Sequence, residues 1–189
     1  MKFIKIIITV LIIFPIDTFS QEYHEDNNQI ESHENKGKIR IGGYFSQTHI
    51  PSHYYHERKA TQHNPYQLIP TNGIEIQYFI SKNLSIKWTN EMEFMSYVLK
   101  DYNGLSKIRK NAFLSAAVLG YKISNFGLFV GMGYEFERNE NILVRRFGIE
   151  YMIELSENVD ISPAYIFDSM GASHTSHSLA IAIGYHFNK

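Results

Sequence analysis

Histidine carries the clearest chemical potential in this chain. Of its nine histidines, His49, His53, His56 and His63 fall in one short stretch, and His174 and His177 in another. Neutral imidazole is a good ligand for zinc, copper or nickel, and converging rings complete a site when geometry allows. Clustered imidazoles also repel one another once protonated, which makes them acid sensors. Both stretches read as polar connections, whose spacing does not fix ligand geometry as a helical pair would. Chance enrichment of His in solvated loops is the competing reading. His24 and His33 lie among carboxylates in a polar leading segment and read as solvated tail residues.

Two further constellations invite chemistry. His174-Thr175-Ser176 offers an imidazole and a hydroxyl two residues apart, with several Glu as candidate third partners. That is the arrangement nucleophilic hydrolysis uses, although a His-x-Ser triplet arises often by chance. The carboxylate pairs Glu91 and Glu93, and Glu135 and Glu137, fall in strand-like runs, where residues two apart share a face. Such pairs can do acid/base work, line a cation pathway, or pair with cations on the inner wall of a narrow barrel.

The elements that position these groups are strands. The closing segment Leu179-Ala180-Ile181-Ala182-Ile183-Gly184-Tyr185-His186-Phe187 alternates large apolar side chains with small or polar ones. Successive strand side chains point to opposite faces, so one face is greasy and the other small and polar. Similar runs are predicted at 38–48, 68–80, 84–97, 109–123, 126–138, 142–155, 159–168 and 177–187. Ile74, Ile76, Tyr78 and Ile80 oppose Gly73, Glu75, Gln77 and Phe79; Phe126, Leu128, Val130, Met132, Tyr134 and Phe136 oppose Gly127, Phe129, Gly131, Gly133, Glu135 and Glu137. The charges keep to one parity. The fourth run leaves the faces open, because Ala112, Leu114, Ala116 and Val118 are nearly as apolar as Phe113, Leu119, Tyr121 and Ile123. Tight turns at 81–83, 124–125 and 156–158 alternate with longer connections at 49–67, 98–108 and 169–176, with a short one near 139–141.

The N-terminus sets the compartment. Lys2 and Lys5 precede the apolar run Ile6 to Ile16, with Ser20 a small residue suited to cleavage before Gln21. Residues 1–20 read as a removed signal peptide, 21–37 as a flexible polar periplasmic lead, and 38–189 as one domain. The run is shorter than the roughly 20 apolar residues a spanning helix needs. With no Cys, a lipoprotein anchor and a disulfide framework are excluded. A formal net charge of −1, without a basic stripe, gives no reason to expect nucleic acid. No cofactor is expected.

Two closed barrels could use this alternation. A soluble, lipocalin-like barrel would turn the glutamates to water and the aromatic set inward around an apolar ligand. A membrane barrel would turn them into the lumen and the aromatic set toward lipid. Eight strands leave an interior just wide enough for side chains, and Gly131, Gly133, Ala182 and Gly184 relieve crowding on the charged face, so the membrane barrel is preferred. The predicted fold is all-β, a closed antiparallel up-and-down eight-stranded transmembrane β-barrel in the outer membrane. Its lumen is expected to hold Arg40, Glu75, Lys87, Glu91, Glu93, Glu135, Glu137, Arg146, Glu150 and Glu154, with Asp168. Buried charges persist when paired, so a plugging salt-bridge network is expected ahead of a narrow porin-like channel. In a closed barrel the first and last strands are neighbours, which sets the two His-rich loops side by side on the outer rim as a candidate metal-capture patch.

Several stretches carry a family likeness. Thr48-His49-Ile50-Pro51, Ile69-Pro70-Thr71-Asn72-Gly73-Ile74-Glu75 and Gly131-Met132-Gly133-Tyr134-Glu135-Phe136-Glu137, followed by Asn139-Glu140, resemble an uncharacterised group of small outer-membrane β-barrel proteins of Gram-negative bacteria. Arg146-Phe147-Gly148-Ile149-Glu150-Tyr151, Ser162-Pro163, Asp168 and Ile183-Gly184-Tyr185-His186-Phe187 continue the resemblance over nearly all of the chain after residue 37. It implies the fold, the location and insertion by the barrel assembly machinery through a terminal aromatic strand. It implies no established activity. Here Phe187 is followed by Asn188 and Lys189, a departure from a terminal aromatic. Small barrels that deacylate lipid A also place a His and a Ser two apart near the rim, but His177 follows Ser176 where those enzymes have Asn. The expected protein is a monomer in outer-membrane lipid, with a structural, adhesive or surface-binding role and an extracellular ligand at its long loops.

Overall fold

Period-two alternation produces strands wherever the sequence carries it. The computed structural model describes residues 36–50, 54–56, 68–100, 106–137, 141–171 and 174–187, all within the unit His33–Lys189. The expected signal peptide and all of the lead up to residue 35 lie outside the described residues. The strands are β1 Ile39–His49, β2 Tyr54–His56, β3 Leu68–Phe79, β4 Leu84–Glu93, β5 Ser96–Lys100 and β6 Ser106–Lys110. They continue with β7 Phe113–Ile123, β8 Phe126–Phe136, β9 Asn141–Tyr151, β10 Ile153–Ser156, β11 Val159–Ser169 and β12 Thr175–Phe187.

The sheet order is β10-β11-β12-β1-β3-β4-β7-β8-β9, and β9 also pairs with β11. Since β10 prolongs β9 past Met152, this is a closed eight-stranded antiparallel barrel. Each of the eight expected runs contributes one wall. Register partners traced from Ile39 through Tyr78, Ile86, Leu119, Val130, Phe147, Phe167 and His177 return to β1 at His49, the other end of that strand. The stagger tilts the strands, as closure requires.

The two ends differ. At the turn end, Ser81 Oγ accepts from the backbone N–H of Asn83 and Leu84 at 3.3 and 3.0 Å, and Ser124 adopts the positive φ of 53° that the β7–β8 turn needs. At the loop end, the sheet continues above the barrel. The run expected at 84–97 breaks after Glu93 and resumes as β5, and the run expected at 109–123 divides at Asn111, whose φ is 48°. Thus β5 and β6 extend the β4–β7 hairpin, and β2 from the first long connection adds to β5. Most of this three-stranded sheet falls in the long connections expected at 49–67 and 98–108. An edge left unpaired above the barrel is a ready template for a further strand.

Side chains sort by parity. Ile74, Ile76, Trp88, Leu128, Val130, Met132, Ile149, Ile181 and Ile183 are exposed outward, while Arg40, Glu75, Lys87, Glu135, Arg146 and Asp168 are buried inside. The fourth wall is resolved: Leu114, Ala116 and Val118 face in, and Leu119, Tyr121 and Ile123 face out. Charges inside and apolar groups outside are the reverse of a lipocalin-like soluble barrel. Trp88 is 55% exposed on the outer wall, with its indole N–H donating to Ser115 Oγ at 2.9 Å.

Candidate functional site

The lumen holds two charged layers separated by an apolar one. Near the turn end, the Arg40 guanidinium from β1 donates through Nε and Nη2 to both oxygens of Asp160 on β11, each at 2.6 Å. It also pairs with Glu75 on β3. Lys87 on β4 bridges Glu150 on β9 at 2.6 Å and Glu75 at 3.5 Å. His186 Nε2 and Ser162 Oγ complete Asp160 at 2.6 and 3.0 Å. Paired fork to carboxylate, a guanidinium gains two parallel charge-assisted bonds, and each remaining oxygen finds a second partner.

Above it lie Tyr44, Val118, Phe129, Ile166, Ala180 and Ala182. Glycines on neighbouring strands make room for the largest lumen groups. A Cβ on Gly73 would meet the Tyr44 ring at 2.3 Å, one on Gly148 the Phe129 ring at 2.2 Å, and one on Gly184 the Arg40 guanidinium at 2.1 Å. Gly131 and Gly133 serve a different closeness, since a Cβ there would strike the backbone of β7 at 2.2 and 2.3 Å.

The loop-end layer centres on Arg146 of β9. Its guanidinium donates to Asp168 of β11 at 2.8 and 2.7 Å and to Thr89 at 3.2 Å, and it pairs with Glu91. Thr48 Oγ1 shares hydrogen bonds with Ser178 at 2.7 Å and Thr71 at 3.5 Å. Arg109 reaches in from β6, pairing with Glu135 and lying 3.6 Å from Glu137. Its Nη1 is 3.3 Å from Nε2 of His174, in the loop before β12. Burial, with Arg109 beside it, pushes His174 down to about 3, so the ring stays neutral and accepts from the arginine. Tyr97 of β5 donates to Glu93 at 3.0 Å and is buried with Ile50 and Ile69. The small sheet is therefore fastened over the mouth by Arg109 and Tyr97.

The gaps between layers are water-sized. Cavities of about 10, 20 and 30 Å³ lie near the turn end, at the loop end and around the apolar layer, each enough for one or two waters.

Of the expected lumen residues, Arg40, Glu75, Lys87, Glu91, Glu135 and Arg146 are buried inside, and Glu93, Glu137 and Glu150 line the same interior. Glu154 differs. Its side chain is 70% exposed, 4.0 Å from Lys122, because β10 outlasts the barrel and its inward parity leads only to open solvent. Three ion-pairing residues of the two layers lie beyond the expected set: Asp160, His186 and Arg109. Asp160 and His186 share parity with Asp168 and Gly184, a signal the residue numbers contain. Arg109 has no such signal, because it belongs to the sheet above the barrel.

The histidines do not converge among the described residues. His49 and His177 are register partners on the outer wall, so the two loops do emerge side by side. His174 is fully buried on the opposite face, as an odd spacing from His177 requires. His53 and His63 lie outside the described residues, and of His56 only its place in β2 is described. Among the described residues no group of His, Asp and Glu has metal-binding geometry. His174 and Ser176 share a face, but both are buried in the lumen, away from the lipid side where an acyl substrate would lie.

No protein-family model and no curated protein sequence matches this chain. Solved structures do. Ail, the attachment invasion locus protein of Yersinia pestis, is similar at a TM-score of 0.51 and 10% identity, covering 80% of this chain and 99% of that one. This is the fold of the small outer-membrane β-barrels. Neisserial surface protein A is similar at a TM-score of 0.51 and 8% identity, over 80% of this chain and all (100%) of that one. The N-terminal β-barrel domain of Pseudomonas aeruginosa OprF is similar at a TM-score of 0.50 and 9% identity, over 80% and 98%. The β-barrel thus agrees with its neighbours in wall number and closure, and identities of 8–10% carry over the fold alone.

Proposed function

We propose that the chain is an outer-membrane surface protein whose barrel is a plugged anchor and whose loop end does the binding. The carrying observation is the inside-out distribution: lumen ion pairs Arg40–Asp160 and Arg146–Asp168 within a wall of exposed Ile, Leu, Phe and Tyr. Such a surface needs lipid, since water would leave the whole wall exposed as one apolar patch. The turn end faces the periplasm and the loop end the outside, following the usual asymmetry of connections. Residues 1–20 serve as the export signal and 21–37 as the lead, and the barrel assembly machinery inserts the closing aromatic strand. The protein works as a monomer, in a structural, adhesive or surface-binding role. Two of the similar structures are an attachment invasion locus protein and a surface protein, in keeping with that reading.

A narrow channel is the second reading, and cavities of about 10 to 30 Å³ bounded by paired charges speak against it. The single tryptophan, Trp88, tests the placement. In vesicles, brominated acyl chains should quench its fluorescence and aqueous iodide should not. Quenching by iodide alone would overturn the reading.

A further inference from the structure

Within β1, β3, β4, β7, β8, β9, β11 and β12, one Asp, Glu, Lys or Arg faces outward among the described residues: Arg145. It is exposed between the buried Val144 and Arg146. Its neighbour Arg146 has two carboxylates inside the barrel; Arg145 has no acidic partner among the described residues. Its position is not random. Register sets it between Met132 of β8 on one side and a polar outward pair, Ser169 of β11 and Thr175 of β12, on the other. The row beneath runs Phe147, Phe167, His177 and His49, and below that the wall is apolar through Ile149, Leu179 and Ile181. Arg145 therefore stands in the loop-end half of the wall, at the seam where the outer face turns polar along β11 and β12 while Met132, Tyr134 and Leu143 keep it apolar on the β8 side. His177 is held there: its Nδ1 lies 2.5 Å from the Tyr165 hydroxyl and its ring 5.1 Å from that of Phe167, which leaves Nε2 without a partner among the described residues.

An unpaired guanidinium near the loop end of a lipid-facing wall can snorkel to water, but with Ser169 on the neighbouring strand and Thr175 and His177 one strand further it also matches a phosphate, which accepts from a planar fork. Resting on the outer-membrane reading above, we infer that Arg145, with His177, Ser169 and Thr175, holds the phosphorylated headgroup of an outer-leaflet lipid against the β9–β11–β12 wall. The lipid's acyl chains would lie along Ile149, Leu179 and Ile181 below.

The test titrates full-length protein in dodecylmaltoside micelles with diphosphorylated lipid A, and with lipid A stripped of phosphate, counting bound lipid by native mass spectrometry. Wild type should prefer the phosphorylated form about tenfold, the scale of one charge-assisted bidentate contact. Arg145→Gln should lose that preference and Arg145→Lys keep part of it. Equal preference in Arg145→Gln, or none in wild type, overturns the inference. Inorganic phosphate alone binding wild type but not Arg145→Gln would assign the patch to a free anion and overturn the lipid occupant. Each sample is also run unheated and boiled on an SDS gel. A boiling-dependent shift in both proteins shows that folding is intact, whereas its absence in wild type brings down the barrel reading itself and this inference with it.

Discussion

The two charged layers of the lumen are built differently. In the turn-end layer, every participant comes from a barrel wall: Arg40 on β1, Glu75 on β3, Lys87 on β4, Glu150 on β9, Asp160 on β11 and His186 on β12. These bonds cross the lumen and join strands up to 120 residues apart in sequence. The loop-end layer has its own wall pair, Arg146 and Asp168, but its second cation, Arg109, is lent by the small sheet above. The turn end is thus braced by the barrel itself, while the loop end depends on an element that the barrel does not need in order to close. Variation at the loop end then leaves the rest of the barrel intact, which suits the proposed role of a scaffold that displays its loops.

The contrast can be broken most severely at Arg40. Arg40→Ala strands Asp160 and Glu75 as buried carboxylates without their guanidinium, and the expected cost is about 3–5 kcal/mol. Urea unfolding in phospholipid vesicles, followed by Trp88 fluorescence, reads it. Glu154→Gln, exposed beyond the turn end of the barrel, is the matched control and should stay within about 0.5 kcal/mol. A small loss for Arg40→Ala would mean that water already screens the turn-end layer.

A smaller and more local effect is expected at Arg109. Arg109→Ala should release the β5–β6 extension, costing about 1–3 kcal/mol for the partners it abandons. Limited proteolysis should then cut near β5 and β6 while the boiling-dependent gel shift persists. Loss of that shift would show that the cap is needed for closure and would erase the distinction between the two ends.

The smallest effect concerns pH. His174 is held down to about 3 by burial beside Arg109, against about 6.5 for a free imidazole. The unfolded chain therefore binds the proton first. The stabilisation of the neutral ring is fully present above about pH 6.5 and is lost as the pH falls toward 3. Cap protection against protease should weaken over that window in wild type and change less in His174→Gln. An identical pH profile for both would remove His174 from the latch.

Much of this architecture is legible in the order of residues alone. All eight walls, their in-and-out parity and the alternation of tight turns with long connections follow from period-two patterning. The fourth wall is the exception, because Ala112, Leu114, Ala116 and Val118 on one side are nearly as apolar as Phe113, Leu119, Tyr121 and Ile123 on the other, which leaves little contrast between faces; closure decides it. Glu154 escapes the pattern because parity knows the face of a residue but not where the barrel stops. Arg109 and Tyr97 are hidden from it because the hairpin extension has no lumen of its own and its residues acquire an inside only by folding over the mouth. The His-rich rim is half visible: β1 and β12 do bring His49 and His177 together, while His174 turns inward on parity that the residue numbers already contain.

By itself, then, the amino-acid sequence determined which side chains face the lumen and which face outward, since alternation is a local property of an extended chain. Which charges meet was decided only by the tertiary structure. Arg146 meets Asp168 as its direct register partner on the neighbouring strand, but Arg40 finds Asp160 and Arg146 finds Glu91 because the stagger of a closed, tilted barrel sets residues from non-adjacent strands at one height, and no local pattern encodes that register.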